Sequence, residues 1–235
     1  MTVPTLRLER HLMSQGATTV CGMDEVGRGA LAGPVSVGAV VVCASTRSLP
    51  GVRDSKILTA GVREELAPRI RAWAVACAVG HASAAEIDDH GLVWALRRAG
   101  LRALAQLSVQ PDVVILDGSH NWLRTAEQLT LLGEEGTTDS DPAVDVNINR
   151  QIAVPEVTMR VKADMTCTSV AAASVLAKVE RDAIITEMSG RFPGYGWEGN
   201  KAYASAEHRA ALKRLGPSDE HRQSWRLGVN DKGAP

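Results

Sequence analysis

The chain has 235 residues, 45% of them hydrophobic and only 3% aromatic, and its 26 basic and 27 acidic side chains leave a formal net charge of −1. That length supports one domain, or one domain with a small extension, around a core built mostly from Val, Leu, Ile and Ala. The near-neutral charge excludes a histone-like protein held to nucleic acid by bulk positive charge, but not an enzyme whose basic groove and acidic ligands cancel in the sum. Residues 1–16 read as a short helical lead-in anchored by Leu6, Leu8, Leu12 and Met13. Residues 20–26 read as a strand interrupted by acids, and 34–43, led in by the Gly33-Pro34 turn, as a buried strand. A helix is expected over 62–72 and a third strand over 73–83. A long helix is expected over 84–107, where Ile87, Leu92, Leu96, Leu101 and Leu104 recur at helical spacing. Residues 112–116 read as a buried strand ending at Asp117-Gly118, and 133–150, rich in Gly, Asp, Thr and Asn, as a surface loop. A short strand over 157–161, a long helix over 166–188 and two closing helices over 205–214 and 218–227 complete the chain. This order predicts an α/β fold with a mixed sheet rather than a strictly alternating doubly wound one.

Cys21, Cys43, Cys77 and Cys167 are scattered with no Cys-x-x-Cys pair, which argues against a disulfide scaffold or a zinc ribbon and suits a reducing cytoplasm. The longest apolar run, 35–44, is too short to span a bilayer, and no signal-peptide pattern opens the chain. A cytoplasmic protein with no membrane partner is expected.

Acids at strand ends are the feature that needs explaining. Asp24 and Glu25 interrupt one apolar strand, Asp117 ends another, and Asp164 lies between a short strand and a helix. Desolvating a carboxylate there is costly unless something compensates it. Any one of them is equally well read as a turn or helix cap; Asp164, for instance, sits where a helix N-terminus favours negative charge. Three such sites on different strands favour a common metal cluster over three unrelated caps. Hard oxygen ligands without a His/Cys cluster point to Mg²⁺ or Mn²⁺. Asp24 and Glu25 are neighbours, so on a regular strand they face opposite ways; a bend, a bulge or a main-chain carbonyl would have to reconcile them.

Several segments together resemble the ribonuclease HII family. They are Asp24-Glu25-Val26-Gly27-Arg28-Gly29 with Ala32-Gly33-Pro34-Val35, Asp54-Ser55-Lys56, Leu116-Asp117-Gly118 and Lys162-Ala163-Asp164. Ser169 through Lys178, Tyr195-Gly196-Trp197, Asn200-Lys201, Leu215-Gly216-Pro217-Ser218 and His221-Arg222 follow in the same order. The resemblance implies a ribonuclease H-like mixed five-stranded sheet flanked by helices. It places the catalytic domain at 1–190 and a C-terminal helical extension at 191–235. It also implies an endonuclease, expected as a monomer, that cuts 5′ of a ribonucleotide in RNA–DNA hybrids or ribonucleotide-containing duplex DNA. The products would carry 3′-hydroxyl and 5′-phosphate ends.

On the same basis Asp24, Glu25, Asp117 and Asp164 would hold two divalent ions, Mn²⁺ or Mg²⁺, as the catalytic set. The backbone of Gly27-Arg28-Gly29 would approach the ribose and sense its 2′-hydroxyl, with Arg28 adding a phosphate contact. Tyr203 would lie against the sugar at an RNA–DNA junction. The family's usual Asn-Lys-Gly-Tyr is here Asn200-Lys201-Ala202-Tyr203, which puts a side chain where glycine takes positive φ with ease. Lys56, Ser169 and Lys178 are expected at phosphates, whereas Ser174 suits packing and His120 reads as a loop histidine. Arg209, Lys213 and Arg214 fit a solvated basic face or a grip on the duplex.

Two other classes are less well matched. A catalytically silent binding module would have lost an acid, and a resolvase-like nuclease has no reason to carry the Gly-Arg-Gly loop with its tyrosine. The sister family, ribonuclease HIII, typically has a long N-terminal extension, whereas the first motif here begins by residue 24.

Overall fold

Small and β-branched residues make β1 (Thr19–Val26) and β2 (Val35–Cys43) the centre of a five-stranded sheet. The computed structural model describes residues 3–124 and 154–229; the expected loop at 133–150 lies outside them. The sheet is completed by β3 (Ala76–Ala82), β4 (Val113–Asp117) and β5 (Glu156–Arg160), in the order β3-β2-β1-β4-β5. β1 is antiparallel to β2, and β2 to β3, while β1–β4 and β4–β5 are parallel. The expected mixed five-stranded sheet is therefore present.

One face of the sheet packs against α3 (Ala84–His90) and α4 (Leu92–Ala105), burying Cys21, Met23, Val37, Leu96, Leu104 and Leu116. The other face takes α1 (Arg7–Ser14), α2 (Ala60–Trp73), α5 (Ala163–Thr166) and α6 (Thr168–Arg191). Helix α6 approaches unusually closely because β1 and β2 carry Gly22 and Gly38 beneath it. A Cβ at Gly22 would lie 2.3 Å from the Val170 amide nitrogen, and one at Gly38 2.2 Å from the Ala173 carbonyl oxygen. That proximity brings the start of α6 beside the carboxyl end of β1. The remaining helices, α7 (Trp197–Asn200) and α8 (Ala206–Leu215), share a core with Leu31, Ala32, Ile185 and Met188 at the same end of the sheet. No helix among the described residues is long and apolar enough to cross a membrane, and the four cysteines are free.

Three sequence expectations need correction. The helix expected over 84–107 is two helices broken at Gly91, whose φ of 83° ends α3; a capping box of Ser83 and Glu86 starts that helix. Apolar periodicity runs through the break, so it does not register there. The helix expected over 166–188 is preceded by the separate turn of α5, because Cys167 is extended and pairs with Thr5. No helix forms over 218–227. That segment directs its backbone to the loop after β1: the Arg222 N–H donates to the Leu31 carbonyl (2.9 Å), and His221 bridges to Ala32.

Candidate active site

Strand register assembles the acids. The parallel pairing of β1 with β4 ends at Met23 opposite Leu116, so the next residues of the two strands are Asp24 and Asp117. Asp24 lies on the face of Gly22, under α6, and Asp117 on the face of Ile115, toward the same side. Asp164 comes from α5 on that side. It is delivered by Lys162, a non-glycine residue in the left-handed region (φ 58°), whose turn aims the Ala163 N–H at Asp117 Oδ1, 2.7 Å away. β1 pairs with β2 residue for residue through Val26 without a bulge, so the backbone does not turn Glu25 toward Asp24. Glu25 leaves on the opposite face at the strand's end, where its Oε1 meets Arg28 Nη1 at 3.4 Å.

Mutual repulsion marks the cluster. Asp24, almost fully buried, has its carboxyl pushed well above the usual range by burial, then by Glu25, Asp117 and Asp164, with Lys56 opposing. Glu25 is raised by burial despite Arg28, with Asp117 adding to the rise, and its Oε2 is buried with no hydrogen-bond partner. Asp164 is raised by burial and by Asp117 and Asp54. Burial pulls the Lys56 ammonium down, yet Asp24, Asp54 and Asp164 hold it above its ordinary value. Crowded hard oxygens, one of them an orphaned carboxylate oxygen, fit a hard divalent cation. Among the described residues, no three His, Cys, Asp or Glu side chains already converge as a coordination shell. Asp24 Oδ1 instead accepts from its neighbour's N–H, Asp117 Oδ1 from Ala163, and Asp164 Oδ2 from Lys56 Nζ at 3.5 Å.

Next to the acids, the loop after β1 is turned inside out. Its carbonyl oxygens converge on two completely buried guanidinium groups. Arg222 donates to the carbonyls of Gly27 (2.7 Å), Arg28 (2.9 Å) and Gly33 (3.1 Å). Arg181 donates to those of Pro34 (2.9 Å), Ala32 (3.3 Å) and Lys201 (3.1 Å). Neither cation has a carboxylate partner in these contacts, so carbonyl dipoles stabilise both. With the carbonyls drawn inward, the N–H groups of Arg28 and Gly29 have no acceptor among the described residues, and the backbone presents donors to solvent.

The structure brings most of the expected site residues together. The Gly27 N–H donates to Tyr203 Oη at 3.2 Å, joining the loop to the aromatic ring. Lys178 Nζ lies 5.7 Å and the Arg181 guanidinium 5.2 Å from the centre of that ring. Lys178 also bonds Asp182 at 2.7 Å. Lys56 reaches Asp164, and its turn is tied to α6 by Ser174, whose Oγ is 2.7 Å from Ser55 Oγ; the packing role expected for Ser174 holds. Ala202 does take positive φ (64°), after Lys201 at 49°.

Ser169 is a correction. It is completely buried, and its N–H and hydroxyl both donate to Glu9 Oε1 (2.9 and 2.8 Å), so it staples α1 to α6 and is closed to a phosphate. Arg181 was missed altogether, and Arg222, like His221, was visible only as part of a motif without a role. A Ser–His–acid line also exists away from the acids: Ser36 Oγ to His81 Nδ1 at 2.7 Å, and His81 Nε2 to Glu180 Oε2 at 3.4 Å. Ser36 is wholly buried, so this line ties β2, β3 and α6 together and offers no nucleophile.

A mixed five-stranded sheet with carboxylates at the ends of adjacent parallel strands defines a ribonuclease H-like nuclease fold. The sequence profile of ribonuclease HII matches residues 21–228, and the chain belongs to the ribonuclease HII family. Ribonuclease HII of Streptomyces griseus subsp. griseus is 43% identical over 227 residues, spanning 94% of this chain and 84% of that protein. That of Syntrophotalea carbinolica is 40% identical over 229 residues, spanning 97% and 95%. The crystal structure of ribonuclease H2 from Pyrococcus horikoshii OT3 is similar with a TM-score of 0.67 at 25% identity, over 89% of this chain and 94% of that one. Ribonuclease H activity is therefore the activity that family and fold support.

Proposed function

We propose that this chain is a divalent-metal-dependent endonuclease. It hydrolyses the phosphodiester 5′ of a ribonucleotide in RNA–DNA hybrids or in duplex DNA holding single ribonucleotides, leaving 3′-hydroxyl and 5′-phosphate ends. The observation that carries this reading is the cluster of Asp24, Glu25, Asp117 and Asp164, mutually repelling and next to an amide-presenting loop. These four carboxylates would hold two ions, Mg²⁺ or Mn²⁺. When bound, such ions supply Lewis acidity for activating water and stabilising the departing oxygen.

The chain's own groups do the rest. The outward N–H groups of Arg28 and Gly29 suit the 2′-hydroxyl and flanking oxygens of a ribonucleotide, and glycine lets the backbone come close. Tyr203, fastened to Gly27, offers a flat surface to the adjoining sugar and so favours a deoxyribose on one side of the junction. Lys56, beside Asp164, suits a phosphate, and so does Lys178, beside Tyr203, once it gives up its bond to Asp182. Arg28 is engaged with Glu25 and is released to a phosphate only by giving up that 3.4 Å contact.

The test offers duplex DNA carrying one ribonucleotide, with Mg²⁺ or Mn²⁺, to the wild type and to Asp24→Asn. The wild type is expected to nick 5′ of the ribonucleotide, and the variant to bind while cleaving at least about a hundred-fold more slowly. Binding without cleavage by the wild type refutes the enzyme; equal cleavage by both refutes the assigned carboxylates.

A further inference from the structure

Behind Tyr203 lies a chain of hydrogen bonds that allows only one arrangement of protons. Ser218 presents its backbone N–H to His221 Nδ1 at 2.9 Å, and a backbone N–H can only donate. His221 Nδ1 is therefore an acceptor, and its proton sits on Nε2. That Nε2 lies 3.0 Å from His208 Nε2, which also receives the Trp197 indole N–H at 3.0 Å. An indole donates only, so His208 Nε2 carries no proton and accepts from both. The proton of His208 must then be on Nδ1, 2.9 Å from the Tyr203 carbonyl, which only accepts. Both imidazoles are completely buried. Burial pushes His221 down to about 4, with His208 contributing, and also lowers His208, so the neutral forms this chain requires are the ones present at pH 7.5.

The chain ends at a point of backbone strain. Lys201 and Ala202 both sit in the left-handed region, which costs L-residues roughly 1–2 kcal/mol each. Tyr203 follows directly, and its carbonyl accepts from the Ser205 N–H (2.8 Å) as well as from His208. At its other end the tyrosine hydroxyl accepts from Gly27. The ring is thus held between the Gly-Arg-Gly loop and the histidine pair, and a fixed donor at His208 Nδ1 offsets the tendency of the strained pair to relax.

We propose that His208 is a positioning residue for Tyr203: locked by His221 and Trp197 into its Nδ1-protonated tautomer, it fixes the backbone from which Tyr203 senses an RNA–DNA junction. This rests on the junction-sensing reading given above for Tyr203. His208 is completely buried and touches no substrate; its effect is on selectivity, not on the chemical step.

Two isosteric substitutions separate positioning from packing. The amide nitrogen of Asn overlies Nδ1 of a histidine, so His208→Asn keeps a donor for the Tyr203 carbonyl. The amide of Gln overlies Nε2, so His208→Gln keeps a group for Trp197 and His221 and loses that donor. Both remove a ring, so a purely structural role predicts similar losses from both. The measurement is the ratio of kcat/KM on duplex DNA with a single ribonucleotide to kcat/KM on a continuous RNA–DNA hybrid, with Tyr203→Ala as reference. His208→Gln is expected to shift this ratio about tenfold, toward that of Tyr203→Ala, mainly through KM, while His208→Asn stays within about twofold of the wild type.

Equal shifts in the two histidine variants, or none in either while Tyr203→Ala shifts the ratio, overturn the positioning role alone. An unchanged ratio in Tyr203→Ala overturns the junction reading and the positioning role with it. A second measurement needs no variant. In ¹⁵N-labelled wild type at pH 7.5, imidazole nitrogen shifts should give opposite tautomers, Nδ1–H for His208 and Nε2–H for His221. A His208 protonated on Nε2 leaves the Tyr203 carbonyl without its imidazole donor and overturns the proposal even if both variants fail to fold.

Discussion

Gly27 and Gly29 flank Arg28 in one loop, yet alanine should act on them in opposite ways. Gly27 has φ of 85°, a region that costs an L-residue about 1–2 kcal/mol. A Cβ there would also fall 2.1 Å from Arg181 Nε, 2.7 Å from its Cδ and 2.8 Å from the Pro34 carbonyl oxygen. Arg181 is completely buried and cannot swing to solvent, so the methyl group breaks its 2.9 Å bond to Pro34. A lost hydrogen bond to a charged group adds about 1.5–3 kcal/mol. Gly27→Ala is therefore expected to destabilise the fold by about 2.5–5 kcal/mol and to detach the loop from Tyr203. Gly29 is not in the positive-φ region, and a Cβ there meets nothing within 4 Å. Gly29→Ala should leave stability within about 1 kcal/mol, on the stabilising side, because alanine restricts the unfolded chain. That same methyl group would stand between the exposed amides and a ribose, raising KM by about tenfold or more. Urea denaturation followed by circular dichroism, with steady-state cleavage of a duplex containing one ribonucleotide, reads both effects. A cost below about 1 kcal/mol for Gly27→Ala refutes the packing argument. Unchanged KM in a stable Gly29→Ala refutes the approach of this backbone to the sugar.

Ser169→Ala should cost about 1–2 kcal/mol, because a buried Glu9 oxygen loses a donor, and leave KM for the duplex unchanged; a KM effect at constant stability would return Ser169 to the substrate surface. Lys56, with a side chain 72% exposed, contributes little to stability, so Lys56→Met should change it by less than about 0.5 kcal/mol. Its KM should rise and the slope of log affinity against log salt should fall by about 1, as for one lost phosphate contact. For His221 the folded value of about 4 lies below the ordinary 6.5, so the unfolded chain takes up the proton first as pH falls. Its contribution is complete above about pH 6.5 and is lost progressively toward pH 4, up to about 3 kcal/mol. His221→Gln should flatten the pH dependence of urea midpoints in that window, and an unchanged slope would refute the buried neutral pair. The raised carboxyl of Asp24 has the opposite sense: its charge penalises the folded state as pH climbs through its titration. In EDTA at pH 7, Asp24→Asn should melt higher than the wild type, and it should gain less from added Mg²⁺. A lower melting temperature in EDTA would mean that the carboxylate is stabilised by partners other than a cation.

The four acids and the glycine loop were legible in the sequence because each belongs to a local pattern: an apolar strand broken by carboxylates, or a turn that only glycine accepts. The mixed sheet followed from the order of those patterns. Where a signal lay in tertiary approach, periodicity carried none of it. Ser169 and Lys178 share one helix, yet α1 covers the first with Glu9 and leaves the second beside Tyr203. Arg181 and Arg222 resemble ordinary surface cations in sequence, but apart from the Lys201 carbonyl their acceptors are carbonyl oxygens 147 to 195 residues away. The histidine pair is likewise defined by what surrounds it, since a tautomer is set by donors that arrive from other segments. Strand alternation posed the question of how Glu25 sits beside Asp24; the structure keeps the strand regular and leaves Glu25 on the other face with one buried oxygen unpaired. Local chemistry thus decided which residues are candidates for the site. Only folding decided what holds them, because buried polar groups take their partners from wherever the chain returns.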